Sequence, residues 1–147
     1  MTTQKYPAIL VLVGLATFTS LAVDAETKST ATQAAGQPVA GAVYKGEDKD
    51  LLYKEILEIK SVKNGVVTFD LDTEADLSGI GEVCEGEISD AKGKLQHHQV
   101  VFDGEHGCKL TLHFSKKQDS VSITDSNCNY YHGANCDFGG KNLKRTK

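Results

Sequence analysis

From about residue 50 onward the apolar positions recur at every second residue, the period of a strand with one buried face. Leu57 and Ile59, then Val67, Phe69 and Leu71, then Ile80, Cys84 and Ile88 mark the first runs. Cys108, Leu110, Leu112 and Phe114, then Val121 and Ile123, mark the later ones. The segment Leu51 to Lys60 also carries a helical stripe in Leu52, Ile56 and Ile59, but the residues after it favour a strand. Lys63-Asn64-Gly65 has the chemistry of a three-residue hairpin loop with Gly65 in the left-handed conformation. That loop sets Ser61 opposite Val67, Ile59 opposite Phe69 and Leu57 opposite Leu71, with the large apolar groups on one face. A plain two-residue Asn-Gly turn would put Lys60 opposite Phe69 and Glu58 opposite Leu71, so the longer loop is expected.

The pattern then predicts a strand over Ile80 to Ser89, a turn at Asp90-Ala91-Lys92-Gly93 and a returning strand from Leu95 to Asp103. Asp103 to Gly107 turns again. With Lys116 to Asp119 as a four-residue loop, Phe114 falls opposite Val121 and Leu112 opposite Ile123, so turn chemistry and apolar pattern agree. A last strand is expected through Phe138 to Leu143. Six to eight short strands joined by turns indicate an all-β fold, a small antiparallel β-barrel or sandwich; a barrel is preferred because closure removes exposed edges.

The ends and the charge change the picture. Residues 1 to 25 read as a secretory signal peptide: Lys5 precedes an uncharged stretch from Ala8 to Val23, followed by Ala25 as the expected cleavage point. That stretch is shorter than the roughly 20 apolar residues of a membrane span, so no stable membrane insertion is expected after cleavage. Residues 26 to 45, rich in Thr, Ala, Gln and Gly, read as a flexible linker, leaving 46 to 147 as the single barrel domain. The formal net charge of −4 is unevenly spread. Residues 45 to 90 carry 13 acidic and 5 basic side chains, whereas residues 91 to 147 carry 9 basic and 5 acidic ones. An acidic half of this size argues against nucleic acid and favours a cationic partner. Cys84, Cys108, Cys128 and Cys136 form an even set, which in an exported chain of this size reads as two disulfides. Of the three pairings, Cys84 to Cys108 with Cys128 to Cys136 suits neighbouring strands and a short closed loop; Cys108 to Cys128 remains open.

Candidate chemistry is sparse. Asp70, Asp72, Glu74 and Asp76 begin like a calcium loop, but Ala75 stands where its glycine belongs and Gly81 where its bidentate Glu belongs. Strand alternation explains them without an ion. The histidines are His97, His98, His106, His113 and His132. His97 and His98 would point to opposite faces of a strand, and the spacing of Cys128, His132 and Cys136 reads as a disulfide loop before a zinc site. No nucleophile elbow occurs, and no carboxylate pair is set in an apolar pocket. No catalytic residue, metal ligand or cofactor is therefore assigned, and the chain is not expected to be an enzyme. The residues assigned to partner binding are Asp70, Asp72 and Glu74 on the acidic strand and Tyr130, Tyr131 and His132 in the loop Asn129 to Asn135. The tyrosines are expected to split, one ring packing beneath the loop and the other on the surface.

The overall plan, with V-C-E-G-E-I from Val83, G-C-K-L-T-L-H-F from Gly107 and C-N-Y-Y-H-G-A-N-C-D-F-G-G from Cys128, resembles small cysteine-containing bacterial periplasmic β-barrel proteins, the C-type lysozyme inhibitors among them. The resemblance covers about residues 55 to 145 and implies a periplasmic or secreted binding protein, with a cationic lysozyme-like hydrolase as a partner suited by charge. The family's inhibitory loop carries Ser-Gly followed by Tyr or Lys. Ser78-Gly79 lacks that following residue, so no inhibitory residues are carried over. The alternative function is a periplasmic protein that binds a metal or small ligand.

Overall fold

The alternating runs form eight antiparallel strands that close into one barrel in chain order. The computed structural model describes residues 36–48, 53–76, 83–133, 136–139 and 142–147; the signal-peptide segment, residues 26–35 and Ser78-Gly79 lie outside the described residues. The strands are β1 (Val43–Asp48), β2 (Tyr53–Lys63), β3 (Val66–Asp76), β4 (Val83–Gln96), β5 (Gln99–Asp103), β6 (Lys109–Phe114), β7 (Ser120–Ser126) and β8 (Leu143–Arg145). A 3-10 turn, Glu105–Gly107, precedes β6, and a single helical turn, α1 (Asn129–His132), follows β7. Tyr44, Leu57, Phe69, Leu110, Leu112 and Phe138 are among the buried side chains that fill the interior. The turns β2–β3, β4–β5 and β6–β7 lie at one end of the barrel. β1, β3, β5 and β7 end at the other, which we call the mouth.

Two barrel walls come from stretches with other expectations. β1 begins at Val43, within the expected linker, because Tyr44 is an inward anchor whose hydroxyl donates to the Gln118 carbonyl at 3.3 Å. Closure uses Leu143–Arg145 rather than Phe138 to Leu143: Tyr44 pairs with Arg145 and Val121 with Leu143. Phe138 is buried outside any strand.

The β2–β3 hairpin turns on two residues, Asn64 (φ 52°) and Gly65 (φ 74°), both left-handed as this tight turn requires. Val62 therefore faces Val67 and Ser61 faces Thr68, correcting the expected Ser61 to Val67 pair. Ile59 nevertheless faces Phe69 and Leu57 faces Leu71, because Lys60 is an extra residue in β2. The bulge restores the apolar face that the two-residue turn alone would have lost. A second bulge lies across β3. Phe69 faces Ala91 and Leu71 faces Ile88, so β4 accommodates an extra residue at Ser89-Asp90, where Asp90 has φ 52°. Asp90-Ala91-Lys92-Gly93 is thus part of one long strand and not a turn. The chain reverses instead at His97-His98, with Gln96 opposite Gln99 and His97 at φ 57°.

Asp70 sits between the two bulges and holds them together. Lys60 Nζ is 2.6 Å from Asp70 Oδ2 and 2.9 Å from Asp90 Oδ1, while the Asp90 N–H donates to Asp70 Oδ1 at 2.7 Å. These hydrogen bonds, Asp70 first, hold the Lys60 ammonium well above its ordinary proton affinity. Asp70→Ala should leave the Asp90 amide without its acceptor and reduce its hydrogen-exchange protection roughly tenfold. Unchanged protection at Asp90 would show that the bulge is fixed by packing alone.

Both disulfides lie at the mouth, with pairings that correct the favoured ones. Cys108 bonds Cys128 across the base of the β6–β7 hairpin, with Cα atoms 4.4 Å apart. Cys84, at the start of β4, bonds Cys136, with Cα atoms 5.8 Å apart. The bonds place the chain in an oxidising compartment.

Candidate functional site

Strand alternation sends one set of side chains from β2, β3 and β4 outward, and that set is mostly acidic. In register they form rows: Lys54, Glu74 and Glu85; Ile56, Asp72 and Glu87; Glu58 with Asp70. Glu74 faces Glu85 directly, and Asp72 faces Glu87. All four carboxylates are exposed. Like charges in directly opposed positions destabilise a sheet, so two adjacent pairs are a cost that the fold carries. Burial raises the proton affinity of Asp72, and repulsion from Glu87, Asp70 and Glu58 raises it further, with Lys54 the opposing influence.

The first two rows floor a concavity of about 380 Å³ whose wall includes Tyr131. Tyr131 comes from α1, and its position is fixed from several sides. Its ring meets Phe102 edge to face at 6.2 Å and Tyr130 at 5.4 Å, and its hydroxyl accepts the Glu105 N–H at 3.1 Å. Phe102 in turn packs on Phe69 in the core at 6.0 Å. The Cys108–Cys128 bond ties the two loops that carry these groups. Tyr130 lies outside, 62% exposed, against the ring of His106 at 4.4 Å. The tyrosines are therefore split, one packed and one on the surface.

The candidate residues do not form one site. Asp72 and Glu74 line the concavity with Tyr131, and Tyr130 stands on the surface beside that ring. Asp70 is taken up by Lys60 and the Asp90 amide. His132 is buried, with Nε2 2.9 Å from Asp125 Oδ2 and Nδ1 2.7 Å from the Gly133 carbonyl, and its ring packs on Phe138. It closes the mouth rather than meeting solvent. Gly86 permits this: a Cβ there would lie 2.5 Å from the His132 Cβ and 3.1 Å from the Phe138 ring. His97 and His98 form the β4–β5 turn at the far end, and His98 Nδ1 is buried without a hydrogen-bond partner among the described residues. Among the described residues no three His, Cys, Asp or Glu side chains converge as a metal-ligand set.

Two groups at the site are not marked as candidates by the sequence pattern alone. Glu85 and Glu87 complete the acidic floor; their signal was the alternation of V-C-E-G-E-I, once set in register with β3. The other is Glu55, an inward residue at the mouth that is fully buried. One of its carboxyl oxygens accepts from the Tyr53 hydroxyl, while Oε1 has no hydrogen-bond partner among the described residues. Burial pushes the Glu55 carboxyl up to about 8, with Asp137 and Asp125 adding to the rise and the Tyr53 bond opposing it. Burial likewise raises the Tyr53 hydroxyl. The polarity of Glu55 amid an alternating apolar run was visible, but its inward direction was settled only by the β2–β3 register.

No family model matches the chain, and no curated protein and no solved structure shows a significant match to it.

Proposed function

We propose that this is an exported binding protein, periplasmic or secreted, whose acidic concavity engages a positively charged protein surface. The observation that carries the reading is the two pairs of opposed carboxylates, Glu74 with Glu85 and Asp72 with Glu87, on the floor of a concavity walled by a fixed aromatic ring. Repulsion held in the free protein is relieved when a cation enters, so the partner's charge contributes to affinity and also steers encounter. Tyr131 adds a rigid apolar contact next to the charge, the combination that anchors many interfaces. A cationic lysozyme-like hydrolase fits by charge, and the resemblance in plan to the C-type lysozyme inhibitors supports that choice.

Calorimetric titration of the protein with a cationic lysozyme should give a saturable complex that weakens steeply between about 20 and 150 mM salt. No complex at the lower salt removes the lysozyme reading. Glu85→Lys tests the acidic floor itself. It should weaken a cationic partner at least roughly tenfold, yet stabilise the free protein by about 0.5 kcal/mol, because it turns an opposed like-charge pair into an attractive one. A charge reversal that leaves both quantities unchanged would show the face to be only solvated surface.

A further inference from the structure

β4 is 14 residues long, but its neighbour β5 has only 5. The two strands pair only at Lys94, Leu95 and Gln96, so from Gly93 towards the mouth β4 pairs with β3 alone among the described residues. The barrel wall is split there. The split is a cleft of about 650 Å³, and it borders the acidic concavity: Tyr131 and Glu87 line both.

The cleft is built from two kinds of surface. Ile88, Ala91, Phe102 and Tyr131 provide apolar and aromatic walls, and Glu87, Asp90, Asp103 and Glu105 bring carboxylates to it, against the single cation Lys92. Asp90 is committed to Lys60, which leaves Glu87, Asp103 and Glu105 as carboxylates not spent on that pair. The walls are stiff. Gly104 lets the Phe102 ring and the Tyr131 hydroxyl close in to 2.7 and 2.9 Å of where a Cβ would stand, and the Glu105 N–H holds the Tyr131 hydroxyl.

We infer that the cleft between β4 and β5 receives a single arginine side chain from the cationic partner, its guanidinium lying between the Tyr131 and Phe102 rings and the carboxylates of Glu87, Asp103 and Glu105. The inference rests on the cationic-partner reading and names the group by which that partner is anchored. Arginine fits better than lysine on three counts. A guanidinium is planar and stacks on aromatic rings, it presents several donors to separated carboxylates, and it is less strongly hydrated than an ammonium. Lys92 is the resident like charge that an incoming arginine must meet.

The test uses acetyl-Gly-Arg-Gly-amide against its citrulline counterpart, which keeps the shape and loses the charge, followed by amide chemical shifts of the intact protein. The arginine peptide should bind with millimolar affinity and shift Gly104, Glu105 and Tyr131, and the citrulline peptide should bind at least roughly tenfold more weakly. Tyr131→Ala should abolish the shifts. Lys92→Met should tighten arginine binding several-fold, a gain that misfolding cannot imitate. Equal binding of the two peptides, or shifts confined to Asp72 and Glu74, overturns the inference. If a cationic lysozyme binds and is sensitive to Glu85→Lys but indifferent to Tyr131→Ala, the acidic floor stands and the arginine cleft falls. If the arginine peptide binds as described while no cationic protein does, the cleft stands and the lysozyme reading falls.

Discussion

The protein should lose stability on the order of 3–5 kcal/mol as pH rises from about 4.5 to about 8, and Glu55→Gln should remove that slope. In the unfolded chain Glu55 releases its proton near the usual 4.5, whereas in the barrel burial holds the proton until about 8. Between those values the folded state binds one more proton than the unfolded state, so stability is fully present below 4.5, falls through the window and levels off above 8. Glu55 is fully removed from water: it is 0% exposed, and among the described residues Oε1 has no partner and Tyr53 supplies the only hydrogen bond to its carboxyl. Glutamine is not a perfect stand-in for the neutral acid. Its amide nitrogen would bring two donors to the place of the unpartnered Oε1, at a cost of about 1–3 kcal/mol. The two stability curves should therefore cross, the variant being less stable at pH 5 and more stable at pH 9. Glu55→Met, without donors, should lack the slope as well. Denaturant unfolding at a series of pH values decides the matter; if wild type and Glu55→Gln keep parallel curves, Glu55 is not the titrating group.

The same residue shows how much of this molecule can be read along the chain. Alternation located most of the strands, and the pairs Leu57 with Leu71, Ile59 with Phe69, Leu112 with Ile123 and Phe114 with Val121 follow from matching apolar faces across turns. What alternation cannot reveal is a single inserted residue. Lys60 and Asp90 each shift the parity of their strand, and along the chain each imitates something else: a longer loop in one case, a turn at Asp90-Ala91-Lys92-Gly93 in the other. The apolar spacing held a clue to the second, since Ile88 and Ala91 are both inward yet three residues apart. The true reversal, His97-His98, contains no glycine, and His97 adopts a left-handed conformation that composition does not announce. Closure by Leu143–Arg145 was hidden for a related reason, because a three-residue strand is too short for a period and its basic residues resemble a solvated tail. The binding surface was half legible. Asp72, Glu74 and Tyr131 were chosen from the chain, but the opposed charges appear only when β4 is laid against β3 in register, and the cleft exists because β4 outruns β5.

Replacing Cys84 and Cys136 together by Ala should cost about 4 kcal/mol, and replacing Cys108 and Cys128 about 3 kcal/mol, by the loop-entropy argument with sequence separations of 52 and 20. One of these pairings was within reach of the sequence. A register that sets Leu112 opposite Ile123 continues to Lys109 opposite Ser126, which brings the next residue, Cys108, beside Asn127 and Cys128. Cys84 and Cys136 follow by elimination. Mass spectrometry of an unreduced digest checks the connectivity first, and a Cys84 to Cys108 peptide would overturn it. The two double variants should then differ in kind as well as in size. Cys136 anchors the segment that carries Phe138, and Phe138 with His132 packs over Gly86, which lies in one row with Thr73 and Glu55 across β4, β3 and β2. Cutting Cys84 from Cys136 loosens that cover, lets water reach Glu55 and lowers the proton affinity that its burial had raised. The Cys84/Cys136 variant should therefore show a shallower fall in stability between about pH 4.5 and 8, while the Cys108/Cys128 variant keeps the full slope at lower overall stability. Equal slopes in the two variants would mean that the mouth stays sealed by the packing of His132 and Phe138 alone.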